Sequence, residues 1–68
     1  MKNSTKDTGM YENLAKDAMK LFERDFRNRN HEKENCDKWD YGKFYFDVDS
    51  NKLFNAFFRG YLVGKGLV

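Results

Sequence analysis

The chain has 68 residues, 40% hydrophobic and 35% charged, with a formal net charge of +2. At that length a single core contributes roughly 3 to 5 kcal/mol net, which excludes a second domain and makes most catalytic folds a poor fit. Thirteen basic residues against eleven acidic ones give an overall field too weak to select nucleic acid, an anionic membrane or an acidic partner, so only a local patch can do so.

Twelve residues are aromatic (seven Phe, four Tyr, one Trp), whereas Ile and Pro are absent. The core is therefore built from rings, each burying roughly 150 to 250 Å². The single cysteine, Cys36, cannot form an internal disulfide, which favours a reducing compartment. No apolar run approaches the roughly 18 residues of a membrane span, and Met1 to Thr8 is polar rather than an apolar leader. The expectation is a soluble cytoplasmic protein. Nine Lys and seven Asn against three Ala match the bias of AT-rich genes such as those of phages and mobile elements.

Residues 1–8 read as a disordered arm and residues 9–68 as one compact domain. Thr8 is positioned to cap a first helix through its hydroxyl. Tyr11, Leu14, Ala15, Ala18, Leu21, Phe22 and Phe26 then recur at spacings of three and four, one face of a helix reaching about Asn28. Asn30 to Lys38 is a polar connector without periodicity.

Composition then changes, with nine aromatics among the 23 residues from Trp39 to Tyr61. Phe44, Phe46 and Val48 alternate with Tyr45, Asp47 and Asp49, the period of a strand. An isolated strand leaves its amides unpaired. Its expected partner is Lys38 to Tyr41, joined through a tight turn at Gly42 and Lys43. A second helix follows, capped by Asp49 or Ser50, with Leu53, Phe54, Phe57, Phe58, Tyr61 and Leu62 inward and Gly64 and Gly66 at its end. The predicted fold is α+β: two amphipathic helices packed on a short antiparallel β-hairpin, in the order helix, hairpin, helix.

Three sets of residues carry candidate functions. With Phe44, Phe46 and Val48 turned to the core, Tyr45 faces away, and Tyr41 and Trp39 stand beside it, so Trp39, Tyr41 and Tyr45 form a candidate docking patch for a protein partner. The opposing expectation is that the two helices cover both faces and make these rings core. Lys16, Lys20, Arg24 and Arg27 form a basic stripe on the first helix, an alternative nucleic-acid surface. Glu12, Asp17 and Glu23 lie among them, as on an ordinary solvated face. Gly60 and Gly64 form G-x-x-x-G, a spacing that admits another backbone and supports a third reading, a structural homo-oligomer.

The remaining motifs are incomplete. Asp47, Asp49 and Asn51 open a calcium-loop pattern, but Lys52 and Phe58 stand where that loop needs Gly and Glu. His31 and Cys36 are too few for a zinc site and lack an orienting third group for nucleophilic catalysis. Tyr41 to Phe46 resembles the aromatic strands on which RNA-binding sheets stack bases, without their flanking pattern. Arg59 to Gly66 resembles the Arg-Gly-Tyr and spaced-glycine element of the ribosome modulation factor family, and the rest of that family's pattern is missing. No membership is assigned. The functional expectation is a non-enzymatic regulator or inhibitor that docks on a protein, with no metal or cofactor.

Overall fold

In the computed structural model, residues 2–67 are described, with side chains from residue 9 onward. Helix α1 spans Lys2–Asp25. Thr8 thus lies within the helix's span, and its predicted cap and the predicted disordered arm fall on residues whose side chains are outside the described set. Ala15, Ala18, Met19 and Phe22 are buried, with Tyr11, Leu14 and Phe26 packed beside them. Met19 takes the inward place expected of Leu21 because it stacks between Ala15 and Phe22 on the three-and-four spacing. Leu21 stays at the exposed margin.

The predicted β-hairpin is absent, and the described residues form a small all-α domain. Cys36–Tyr41, which includes the expected first strand, is a 3-10 helix. Gly42 closes it in the left-handed region (φ 79°, ψ 17°), its amide donating to the Trp39 carbonyl at 3.0 Å while the Lys43 amide reaches the Lys38 carbonyl at 3.2 Å. These bonds run back into the preceding turn, as at a helix C-terminus, and leave nothing to pair across a hairpin. Among the described residues, only an isolated antiparallel bridge, Lys33 to Tyr45, retains β geometry. It is flanked by bonds from the Glu34 amide to the Phe44 carbonyl and from the Phe46 amide to the Glu32 carbonyl, both 2.9 Å.

What replaces the hairpin is one side chain of the second helix. Helix α2 spans Val48–Gly64, and Asp47 rather than Asp49 or Ser50 caps it, its carboxylate accepting from the Ser50 amide at 2.9 Å. That earlier start places Asn51 on the first turn, facing the connector. Its Oδ1 accepts from the Phe44 amide (2.7 Å) and the Tyr45 amide (3.1 Å), and its Nδ2 donates to the Gly42 carbonyl (2.8 Å). Asn55 Nδ2 donates to the same carbonyl at 2.9 Å. The amides that called for a strand partner are satisfied by a carboxamide instead.

This geometry breaks the alternation. Phe44 and Tyr45 are both buried, whereas Phe46 is 55% exposed and Val48, now the first residue of α2, is 67% exposed. Consecutive inward residues are incompatible with a period of two but ordinary in an irregular segment tethered at each amide. The buried rings converge on Phe54. Phe22, Phe44 and Tyr45 meet it edge to face at centroid distances of 5.3, 4.8 and 5.4 Å, and Phe58 stacks on it at 5.4 Å. Tyr11 against Phe58, at 5.6 Å, extends the same contact between α1 and α2.

Gly60 and Gly64 are exposed, and a Cβ on either would meet nothing within 4 Å. The G-x-x-x-G face therefore does not accommodate α1. No helix among the described residues is long and apolar enough to cross a membrane.

Three substitutions test this arrangement against a hairpin. Phe44→Ala costs about 3 to 5 kcal/mol, most of the domain's stability, whereas Phe46→Ala costs less than about 0.5 kcal/mol. Asn51→Ala, which orphans two amides, costs about 2 to 3 kcal/mol. Urea unfolding followed by circular dichroism measures all three, and a costly Phe46→Ala would restore the alternating register.

Candidate functional site

The three rings nominated for docking do not form a patch. Trp39 is 3% exposed, packed near Phe44 at 6.0 Å, and its Nε1 donates to the Glu34 carbonyl at 3.1 Å. Tyr45, also 3% exposed, donates its hydroxyl to Glu23 Oε2 at 2.8 Å. Burial, then the Glu23 carboxylate, raises its phenol well above the ordinary tyrosine value, so the hydroxyl remains a donor. Both rings belong to the core, so the opposing expectation, which made all three rings core, holds for two of them. Tyr41 alone remains at the surface, 80% exposed.

In place of the buried pair, Phe46 and the first residue of α2, Val48, are exposed. They line a shallow depression of about 350 Å³ with Glu34, Lys43 and Lys52 at its sides. Sequence reasoning missed both residues because the alternation turned them inward. The run Asp47-Val-Asp-Ser50 held the correcting signal, since a cap at Asp47 makes Val48 the first residue of a helix and ends the strand before it.

The basic stripe is largely engaged within the molecule. Lys16 pairs with Glu12 at 3.1 Å, Arg24 Nε with Asp25 at 3.3 Å, and Arg27 Nε donates to the Arg24 carbonyl at 3.3 Å. Lys20 has no ion-pair partner among the described residues. Lys33, outside the predicted stripe, pairs with Glu23 at 2.7 Å and lies 6.0 Å over the Tyr45 ring. Glu23 Oε2 thus receives both the Tyr45 hydroxyl and the Lys33 ammonium, tying the bridge segment to α1.

The motif residues serve the fold. Asp47 caps α2, and the Ser50 amide it accepts from holds its carboxyl below the usual value. Asn51 is occupied by Phe44, Tyr45 and Gly42. His31 is half-buried, with its ring 5.7 Å from Phe22 and 5.8 Å from Tyr45. Tyr41 to Phe46, likened to a base-stacking strand, contains the end of the 3-10 helix and the bridge residue Tyr45.

Cys36 is exposed, and its thiol donates to Glu12 Oε2 at 3.5 Å. Loss of hydration against α1 and then this carboxylate raise the thiol above its ordinary value. The environment is the reverse of one that activates a nucleophile.

No protein-family model, no curated protein and no solved structure matches this chain.

The Cys36 environment has a direct readout. At about pH 8 iodoacetamide alkylates Cys36 more slowly than an unhindered thiol, because less thiolate is present. Glu12→Gln removes the neighbouring negative charge and speeds the reaction. Equal rates in the two proteins would show that Glu12 does not govern the thiol.

Proposed function

We propose that the protein is a non-enzymatic regulator or inhibitor that docks stoichiometrically on another protein through Tyr41, Phe46 and Val48. One observation carries the reading. A chain with little core material buries Trp39, Phe44 and Tyr45 yet leaves Tyr41, Phe46 and the first residue of α2, Val48, exposed. Phe46 and Val48 line one depression; exposed apolar surface on a small domain is a usual substrate of recognition, and aromatic residues are its usual anchors.

The ordered segment around these residues strengthens the case. Gly42 is held by two asparagines, and the backbone on either side of Phe46 is fixed by the Phe46 amide bond to Glu32 and the Asp47 cap. Preorganised residues lose less freedom on binding than those of a loose loop. Chemistry by turnover has less support: the Cys36 thiol is raised, the His31 ring packs against Phe22 and Tyr45, and Asp47 and Asn51 are committed to the backbone.

The test is a triple variant, Tyr41→Ser, Phe46→Ser and Val48→Ser, compared with the parent in affinity capture from cell extract. The variant retains the helical circular dichroism spectrum and loses a protein that the parent captures in stoichiometric amount. Identical captured sets from two equally folded proteins would overturn the proposal.

A further inference from the structure

The surface around Phe46 and Val48 has a charge pattern of its own. The two side chains, both more than half exposed, line the shallow depression together with Lys43, Lys52 and Glu34. On α2, Val48, Lys52, Asn55 and Arg59 recur at spacings of four, three and four, which sets them on one outward stripe, and all four are exposed. Asp49 follows Val48 directly and so points about 100° away round the helix, which leaves the stripe without a carboxylate. Asn55 donates to the Gly42 carbonyl at 2.9 Å and thereby holds the connector turn, with Lys43 next in the chain, against this stripe.

We propose that this surface takes an acidic segment of a partner protein, with an apolar side chain seated over Phe46 and Val48 and carboxylates meeting Lys43, Lys52 and Arg59. The inference rests on the docking reading and names the chemistry of the partner.

Charge complementarity selects this occupant. Among the described residues, none of Lys43, Lys52 and Arg59 is in an ion pair; the pairs are made by Lys16, Arg24 and Lys33. One carboxylate, Glu34, lines the depression, and Glu32, whose carbonyl accepts the Phe46 amide, stands outside its lining. Asp47 is committed to the Ser50 amide, with Arg29 near enough to act on its carboxylate. Lys52 stands roughly 6 Å beyond Val48 along α2 and Arg59 roughly 10 Å beyond Lys52. An extended peptide covers those steps in about two and about three residues. A single-stranded nucleic acid would also meet the cations, but Val48 offers no ring for a base to stack on and Glu34 repels a phosphate chain, so the surface favours a peptide.

The probe is a capped peptide with a phenylalanine followed by glutamates two and five residues later and serine elsewhere, titrated into the labelled full chain by two-dimensional NMR. The expected result is saturable shifts at the Phe46, Val48 and Lys52 amides, with affinity falling as salt is raised. Lys52→Glu weakens binding about fivefold. Lys20→Glu makes the same change in net charge on α1 and alters affinity less than about twofold. Both lysines are exposed, so both variants fold. Replacing the peptide's phenylalanine with serine, or its glutamates with glutamines, weakens binding.

Four results would overturn the acidic partner: no shifts at these amides, equal affinity for the glutamine analogue, equal effects of Lys52→Glu and Lys20→Glu, or tighter binding of a single-stranded oligonucleotide at the same amides. Each leaves docking through Tyr41, Phe46 and Val48 standing. Failure of the docking reading shows separately, as identical captured sets from the parent and the serine triple variant.

Discussion

The carboxamide of Asn51 decides what kind of protein this chain becomes. Phe44 and Tyr45 have to be buried together to complete the aromatic core, and burying two consecutive residues removes their amides from water. A β partner would satisfy those amides only in a register that turns one of the two side chains outward. Asn51 accepts both amides on one oxygen and returns a bond to Gly42, so the connector is fixed without a strand. An unmade pair of buried bonds is costly relative to the thin margin of a domain this size.

That tether allows Phe54 to act as the common neighbour of the core. Rings reach it from α1, the connector and α2, and edge-to-face contacts of this kind add about 0.5 to 1.5 kcal/mol each beyond area burial. Helix packing alone brings only α1 and α2 together. The connector completes the enclosure, with Trp39 and Tyr45 anchored by polar bonds at their outer edges. The rings of the connector are thereby divided: Trp39, Phe44 and Tyr45 stabilise the domain, while Tyr41 and Phe46, with Val48, remain available to a partner.

Both helices were legible from apolar spacing, including every inward residue named for α2 and all but Leu21 for α1. The segment between them was not. Period-two patterning over Phe44 to Asp49 is real, but it arises where an irregular stretch meets a helix N-terminus, and short patterns carry no information about a side chain four residues further on. Gly42 was correctly marked as a special backbone position and assigned to the wrong turn, because a helix end and a hairpin both accept a positive φ there. The docking trio inherited the error: Tyr45 was turned outward only by the assumed strand. The basic stripe was legible as spacing, while its internal neutralisation depended on Glu12 and Asp25 and on where the helix ended.

The fold of the segment between the helices therefore depends on a bond between a side chain and two backbone amides, and NMR detects that bond directly. Scalar coupling across the hydrogen bond, measured between the Phe44 amide nitrogen and the side-chain carbonyl carbon of Asn51, is expected to be observable, with both the Phe44 and Tyr45 amides slow to exchange with solvent. Fast exchange of both amides, or coupling of the Tyr45 amide to a backbone carbonyl between Lys38 and Tyr41, would contradict it and restore the hairpin.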